Sequence, residues 1–342
     1  MRAVAFKKSL PITDPEALLD IELPRPDPGG RDLLVRVEAV SVNPVDTKVR
    51  RGGDPADGMR VLGWDAAGTV EAAGPESTLF KPGDAVFYAG SLIRPGTNAE
   101  YHLVDERIVG GKPRTLSFAE AAAVPLTAIT AWELLFDRIG VLRGDGGDRR
   151  SLLIVGGAGG VGSMAIQMAR QLTSLAVIAT ASRPETQAWV RELGAHHVID
   201  HARPFAPQLA AAGFPAVDIV LALAGTARHA GQIAETVAPE GHLGLIEGAA
   251  ALKAFDTAPL FTKSVAVHLE MMFTRSMFGT PRMIGQHRLL TEIAGLIDLG
   301  TIRTTLKEIA GPIDAEHLRK AHALIESGKT IGKVVLQGWP SR

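Results

Sequence analysis

Two kinds of hydrophobic pattern divide this chain. Up to about residue 124, short β-type runs at 33–42, 68–73 and 84–88 are separated by proline and glycine punctuation, including Pro24, Pro26, Pro28 and the Lys81-Pro82-Gly83-Asp84 turn. That pattern predicts mostly antiparallel strands. Ser117 opens a helix over 117–123, with Glu120 as its capping-box partner, and a second helical stretch covers 127–140. A glycine-rich, charged loop, 143–150, leads into the apolar run 152–155, which breaks into glycines and resumes with helical spacing as far as Arg170.

From there the pattern is regular. Strands are predicted at 176–181, 197–199, 216–222, 242–246 and 265–273, with helices at 185–193, ended by Gly194, and at 228–237. Strands alternating with helices of this length imply a doubly wound parallel sheet. The order then changes to a helix over 281–299, a strand at 304–309, a helix over 316–327 and a last apolar run at 332–336. This tail cannot extend the parallel sheet without another crossover, so it is predicted to return to the first domain.

The junction at 151–170 carries the first chemistry. Gly157, Gly159 and Gly162 supply G-x-G-x-x-G where a buried strand turns into a helix. The first glycine permits the turn, the second lets backbone approach a pyrophosphate and the third allows close helix packing, while free N–H groups at the helix start face the anion.

Composition narrows the classes. With 342 residues and 46% hydrophobic content the chain can fill two cores, and a net charge of −1 offers no field for nucleic acid or anionic lipid. No stretch is counted as long enough to span a bilayer and the N-terminus has no long apolar h-region, so cytoplasm is the expected location. Zero cysteines exclude disulfides, thiolate nucleophiles and any zinc site with a Cys ligand. His196, His197 and His201 with Asp200 form a metal-like cluster in sequence, but strand alternation sends His196 and His197 to opposite faces.

GGAGGVG at 156–162, AVSVNPVDTKVR at 39–50, LGWDAAGTVEAAG at 62–74, KPGDAVF at 81–87 and ESGKTIGKVVL at 326–336 together resemble the medium-chain dehydrogenase/reductase superfamily. Within it the chain is similar to the zinc-free quinone oxidoreductase branch, most closely the zinc-type alcohol dehydrogenase-like subgroup. The resemblance implies a GroES-like β-rich catalytic domain over 1–124 and 277–342, and a Rossmann NADP-binding domain over 125–276. It also implies a homodimer joined edge to edge through 265–273. Where zinc alcohol dehydrogenases have their first Cys ligand, this chain has Asn43, and where they have Gly-His-Glu it has Gly63-Trp64-Asp65. Asp65 alone could still bind metal, the four-cysteine loop is missing and Val45 stands in place of the proton-relay hydroxyl. No zinc is expected.

NAD enzymes hold the ribose with an acidic residue about 20 positions past the fingerprint. Here the segment reads Thr180-Ala181-Ser182-Arg183, in which Arg183 can pair with a 2′-phosphate and Ser182 can donate a hydrogen bond, so NADPH is preferred. The resemblance adds Gly160, Val161, Thr130, His201 near the adenine and Lys333 of the C-terminal motif as cofactor-binding positions. Lys333 could equally be a solvated strand-end lysine. Without metal or cysteine, the compatible chemistry is hydride transfer to a quinone or other conjugated carbonyl, whose own conjugation spreads the developing charge. Asn43 is the lead donor to that charge, Trp64 offers apolar bulk for a flat substrate, and Tyr88 or Asn98 could assist. Tyr101 and His102 read as packing residues. An enoyl-thioester reductase, a zinc-type alcohol dehydrogenase and a non-catalytic NADPH-binding scaffold or stress protein are the alternatives.

Overall fold

The strand Asp32–Val42, with Leu33, Leu34, Val35 and Val37 fully buried, is the spine of a seven-stranded sheet. The computed structural model describes residues 1–144 and 146–340; Asp145, within the predicted loop 143–150, and the last two residues of the predicted 277–342 segment lie outside the described residues. The sheet runs in the order Leu306–Ile309, Lys333–Gln337, Asp32–Val42, Asp65–Ala73, Ala85–Ala89 and Val109–Gly111, and Tyr101–Asp105 also pairs with the spine. The tail returns as its pattern predicts: Val334 lies opposite Val42 and Leu336 opposite Val40. A second, three-stranded sheet joins Leu19–Glu22, Arg2–Phe6 and Arg60–Val61. Ser117 caps the helix Phe118–Ala122, its backbone N–H donating to Glu120 at 2.8 Å while its hydroxyl accepts from the Glu120 N–H at 3.2 Å.

The central segment forms a six-stranded sheet with every neighbouring pair parallel, ordered His197–Ile199, Ala176–Thr180, Ser151–Val155, Val217–Ala222, Val237–Leu245 and Ala266–Leu269. In strand sequence this is the 3-2-1-4-5-6 order of a doubly wound sheet. Leu153, Val155, Ile178, Val220 and Leu243 are buried in its core, and coverage on both faces explains why the strand sequences are continuous apolar runs. The chain clusters into two compact units, Met1–Ile129 with Phe273–Arg342, and Thr130–Met272.

Three expectations change. The last parallel strand is only Ala266–Leu269, and Val267 and Leu269 are 40% and 57% exposed, so the apolar run at 265–273 is a short open edge. The predicted helix 127–140 is an α-helix, Pro125–Trp132, continued by a π-helix, Glu133–Arg138. Lastly, the helical run Phe118–Arg138 does reach membrane-spanning length and hydropathy, but 89% of its apolar 18-residue window is buried inside the protein, as in a core helix.

Below the glycine loop, helix Gly160–Leu172 starts in close backbone contact. A Cβ on Gly162 would lie 2.4 Å from the Gly156 carbonyl oxygen and 2.7 Å from that of Gly157. Neither atom belongs to a flexible side chain, so the helix or the turn would have to move. Gly162→Ala is therefore expected to destabilise the protein by about 1–3 kcal/mol, the usual cost of overpacking, read as a lower thermal midpoint. An unchanged midpoint would show that the helix start can shift freely.

Candidate active site

The residues singled out in the first domain meet in one buried cluster. Pro44 at the first helical position sets the start of helix Pro44–Arg51, and Asn43 is its N-cap, closed by Asp46 three residues on. The Asn43 backbone N–H donates to Asp46 Oδ2 at 2.5 Å. Its side-chain amide donates to Asp65 Oδ2 at 2.9 Å and to the Ser41 carbonyl at 3.2 Å. Lys333, at the start of the last strand, brings its ammonium to Asp65 Oδ2 at 3.1 Å, to the Val42 carbonyl at 3.2 Å and to Asn43 Oδ1. The other Asp65 oxygen accepts the Leu126 N–H at 2.8 Å.

This geometry corrects three readings. Lys333 is not a solvated strand-end lysine: it is 3% exposed, and its ammonium is bonded to Val42, Asn43 and Asp65 inside the same domain. Asp65 is not isolated, since it accepts an ammonium, an amide and a backbone N–H. Asn43, 1% exposed, has both amide hydrogens committed to Asp65 and Ser41, which leaves none for an acceptor oxygen. Its amide ties the cluster together.

Burial is the dominant electrostatic influence here. It pushes the Asp65 carboxyl up, against the pull of Lys333, Asn43 and the Leu126 N–H. It pushes Asp46 up to about 7, against the Asn43 N–H and Lys333, with the Asp65 charge adding to the rise. Asp46 Oδ1 is buried without a partner.

The aromatic candidates sit in the core. Trp64 is fully buried, donates its indole N–H to the Ser91 carbonyl at 3.0 Å and packs edge-on against Phe273 at 6.1 Å. Tyr88, assigned as catalytic from the sequence, is likewise enclosed, its hydroxyl 3.0 Å from His102 Nδ1. Because His102 Nε2 faces the Pro95 carbonyl at 3.0 Å, which can only accept, Nδ1 accepts from Tyr88 and the tautomer is set. Burial brings His102 down to about 4 and raises the Tyr88 phenol, so both stay neutral. Asn98 is 2% exposed, and Tyr101 lies under the Arg25 guanidinium at 4.2 Å.

In the second unit, Gly159, Gly160 and Val161 are half-exposed at the start of helix Gly160–Leu172; the Gly159 N–H donates to the Gly156 carbonyl at 3.2 Å, whereas Gly160 and Val161, in the first turn, have no helix carbonyl one turn back. Gly159 N-caps the helix without a side-chain hydrogen bond, while Gly157 is buried with Ala179 2.9 Å from where its Cβ would be. The Thr180 hydroxyl accepts the Gly156 N–H at 3.0 Å, tying the next strand to the loop. The arrangement suits a diphosphate. Arg183, beside half-buried Ser182, N-caps helix Pro184–Glu192 and pairs with Glu185 at 3.2 Å. Thr130 is 5% exposed, and His201 is half-buried with its ring 5.8 Å from that of His229. His196 Nδ1 accepts the Val177 N–H and the His197 ring packs on Phe214, so the sequence cluster is drawn apart.

Sequence reasoning missed Asp46 and His229. Asp46 had a local signal, Asn-Pro-x-Asp, which is the spacing of a capped helix start. His229 had none, because it reaches His201 only through the sheet.

Comparison with known proteins gives consistent matches. Residues 29–132 match the alcohol dehydrogenase GroES-like domain and residues 193–336 the zinc-binding dehydrogenase family. A zinc-type alcohol dehydrogenase-like protein of Staphylococcus aureus is 40% identical over 98% of this chain and 99% of its own. A Rhizobium etli protein provisionally assigned as a zinc-dependent alcohol dehydrogenase is 58% identical, with a TM-score of 0.95 over 100% of this chain and 99% of its own. A mycobacterial protein solved with NADPH is 28% identical, with a TM-score of 0.81 over 98% of this chain and 100% of its own.

Asp46 yields a test of the cluster's electrostatics. An acid whose folded pKa is about 7, against 3.8 ordinarily, holds a proton that the unfolded chain has already lost. Stability then falls as pH rises through that window. Asp46→Asn keeps an acceptor for the Asn43 N–H and removes the titration. Its thermal midpoint is expected to match wild type near pH 4 and to exceed it above pH 7. Parallel curves from pH 5 to 8 would place the Asp46 pKa elsewhere.

Proposed function

The chain belongs to the medium-chain dehydrogenase/reductase superfamily of oxidoreductases, in its zinc-type alcohol dehydrogenase-like group, and from that premise we propose that it transfers hydride from NADPH to a quinone or other conjugated carbonyl (enone) without zinc. The observation that carries this reading is the Lys333 ammonium bonded to both Asn43 and Asp65. In zinc members of the superfamily the metal ligands come from these segments. Here the donor set is an amide, an indole and a carboxylate already neutralised by a fixed cation. A divalent ion against that ammonium would be repelled, so the residues do not fit zinc. Nor do they include a free base to take a proton from an alcohol. An acceptor that is already electrophilic needs neither.

The residues of the second unit do fit the dinucleotide, judged by the half-exposed backbone at Gly160 and Val161 in the first turn of the helix, beside half-exposed Gly159. When bound, NADPH would supply the hydride. The helix start would hold the pyrophosphate, Arg183 and Ser182 would take the 2′-phosphate, and His201 would stand by the adenine. In the first unit, Asn43, Asp65 and Lys333 keep a dry, charge-balanced wall.

The test is NADPH oxidation by the purified protein against 9,10-phenanthrenequinone, simple enones, enoyl thioesters and alcohols, with and without chelator. Turnover with quinones and enones that survives chelator is expected. One zinc per chain with alcohol oxidation lost on its removal would overturn the reading, and NADPH binding without turnover of any acceptor would favour a scaffold.

A homodimer joined through Ala266–Leu269 is part of the same proposal. Val267, Leu269 and Met271 are 40%, 57% and 48% exposed along this edge, and soluble proteins avoid open apolar strand edges. Beside it lies a groove of about 460 Å³ lined by Leu252, Phe255, Leu260, Phe261 and Val265. Light scattering is expected to give twice the 36.1 kDa chain mass, and Val267→Lys with Leu269→Lys to give the monomer. A wild-type monomer at micromolar concentration would refute it.

A further inference from the structure

Two imidazoles that the proposed reaction does not use meet at the open edge of the parallel sheet. His242 and His268 stand on neighbouring strands, Val237–Leu245 and Ala266–Leu269, and the register puts them on one face, with His242 opposite Ala266 and His268 opposite Gly244. Gly244 has no side chain to part the rings, and Leu134 of the π-helix covers it. His242 Nδ1 lies 3.0 Å from His268 Nε2, the ring centroids being 5.2 Å apart and the planes tilted by 33°. Both residues are half-buried, so solvent reaches the pair.

The protons on these rings can be placed. His268 also hydrogen-bonds the Arg138 backbone. Each ring nitrogen has one in-plane position, and Nε2 spends its own on His242, so Nδ1–H donates to the Arg138 carbonyl and Nε2 offers a lone pair. His242 Nδ1–H then donates to that lone pair. A backbone carbonyl on Nδ1–H fixes the ring and leaves Nε2 as a ligand, which is how metal-binding imidazoles are oriented. The charged neighbours are matched among themselves: Arg138 bonds Glu270 at 2.7 Å and faces Glu133 at 3.4 Å, while Arg150, which acts on His242, pairs with Asp148 at 2.5 Å.

We propose that His242 and His268 form a two-imidazole chelate for a tetragonal transition-metal cation, Cu(II) or Ni(II), which ties the edge strand to its neighbour. The proton that His242 gives to His268 moves to its own Nε2, and the ion joins Nδ1 of one ring to Nε2 of the other. Metal–imidazole bonds of about 2.0–2.1 Å to nitrogens 3.0 Å apart subtend about 90°, the angle between adjacent ligands of a square-planar or tetragonal ion. A tetrahedral zinc ion would need the nitrogens about 3.3 Å apart. No third His, Cys, Asp or Glu joins the pair among the described residues, so the other positions fall to water. Edge-to-edge pairing of two chains would use backbone groups in the plane of the sheet, so the face that carries the rings stays open in the proposed homodimer. The site takes no part in the proposed hydride transfer.

The test uses untagged full-length protein, stripped with chelator and titrated with Cu(II) near neutral pH, followed by calorimetry and electron paramagnetic resonance. One Cu(II) per chain is expected, with an axial spectrum that reports two coordinated nitrogens and a higher thermal midpoint in the bound form. Even an outer partner of a metal ligand is worth about 10- to 100-fold in affinity, so His242→Gln and His268→Gln should each weaken Cu(II) by at least about tenfold while melting cooperatively and keeping wild-type turnover. His196→Gln, a histidine of the same unit engaged with the Val177 N–H, should bind as wild type does. Ni(II) is expected to bind more tightly than Zn(II). Cu(II) bound equally by wild type and both variants would put the ion on other groups and overturn the proposal, as would the lack of a stoichiometric ion or a spectrum with a single nitrogen. Tighter binding of Zn(II) than of Ni(II) would overturn the tetragonal assignment.

Discussion

The catalytic-type unit depends on one buried charge. Lys333 enters the interior because its ammonium finds a carboxylate, an amide oxygen and a backbone carbonyl there, and Asp65 is tolerable because it receives three donors. Neither would remain buried and charged alone. Removing one partner from such a pair typically costs about 3–5 kcal/mol, whereas an intact pair contributes little net stability. What the pair supplies is register. The bonds join the start of the last strand, the spine and the neighbouring strand, so a slip of Lys333–Gln337 by one residue would strand the ammonium on the wrong face.

The same constraint explains the chemistry. In the proposed reading, a wall whose hydrogen bonds are already internal would have little to offer an alcohol, and its fixed cation would oppose a metal ion. Under the same proposal specificity moves to the other unit, in which the glycine turn would accept a diphosphate.

Much of this was legible in the sequence because its signals are local. The parallel order follows from strands and helices alternating within about 30 residues, the Ser117–Glu120 cap from a spacing of three, and the role of Gly162 from its place in the fingerprint. What escaped was set by distance along the chain. Asn43 and Lys333 are 290 residues apart and Asp65 and Lys333 are 268 apart, so no spacing rule connects them, and Lys333 read as solvated. Tyr88 read as a candidate donor because the sequence does not show that His102 claims its hydroxyl. Asn43 stands out in the sequence by its motif position, but the number of its hydrogen bonds appears only once Ser41 and Asp65 are in place.

The return of the last strand to the first sheet also bears on the order of synthesis. The spine strand and Asp65 are made early, but the lysine that neutralises Asp65 follows it by 268 residues. The parallel-sheet unit lies wholly between them in sequence and has every strand it needs before that lysine is made. Domains fold as units as they emerge, so the parallel-sheet unit can close before the unit that contains the amino-terminal strands does. The nascent first domain carries an open sheet edge and an uncompensated acid until Lys333–Gln337 has been made, and that interval is when it is most exposed to aggregation and to chaperones.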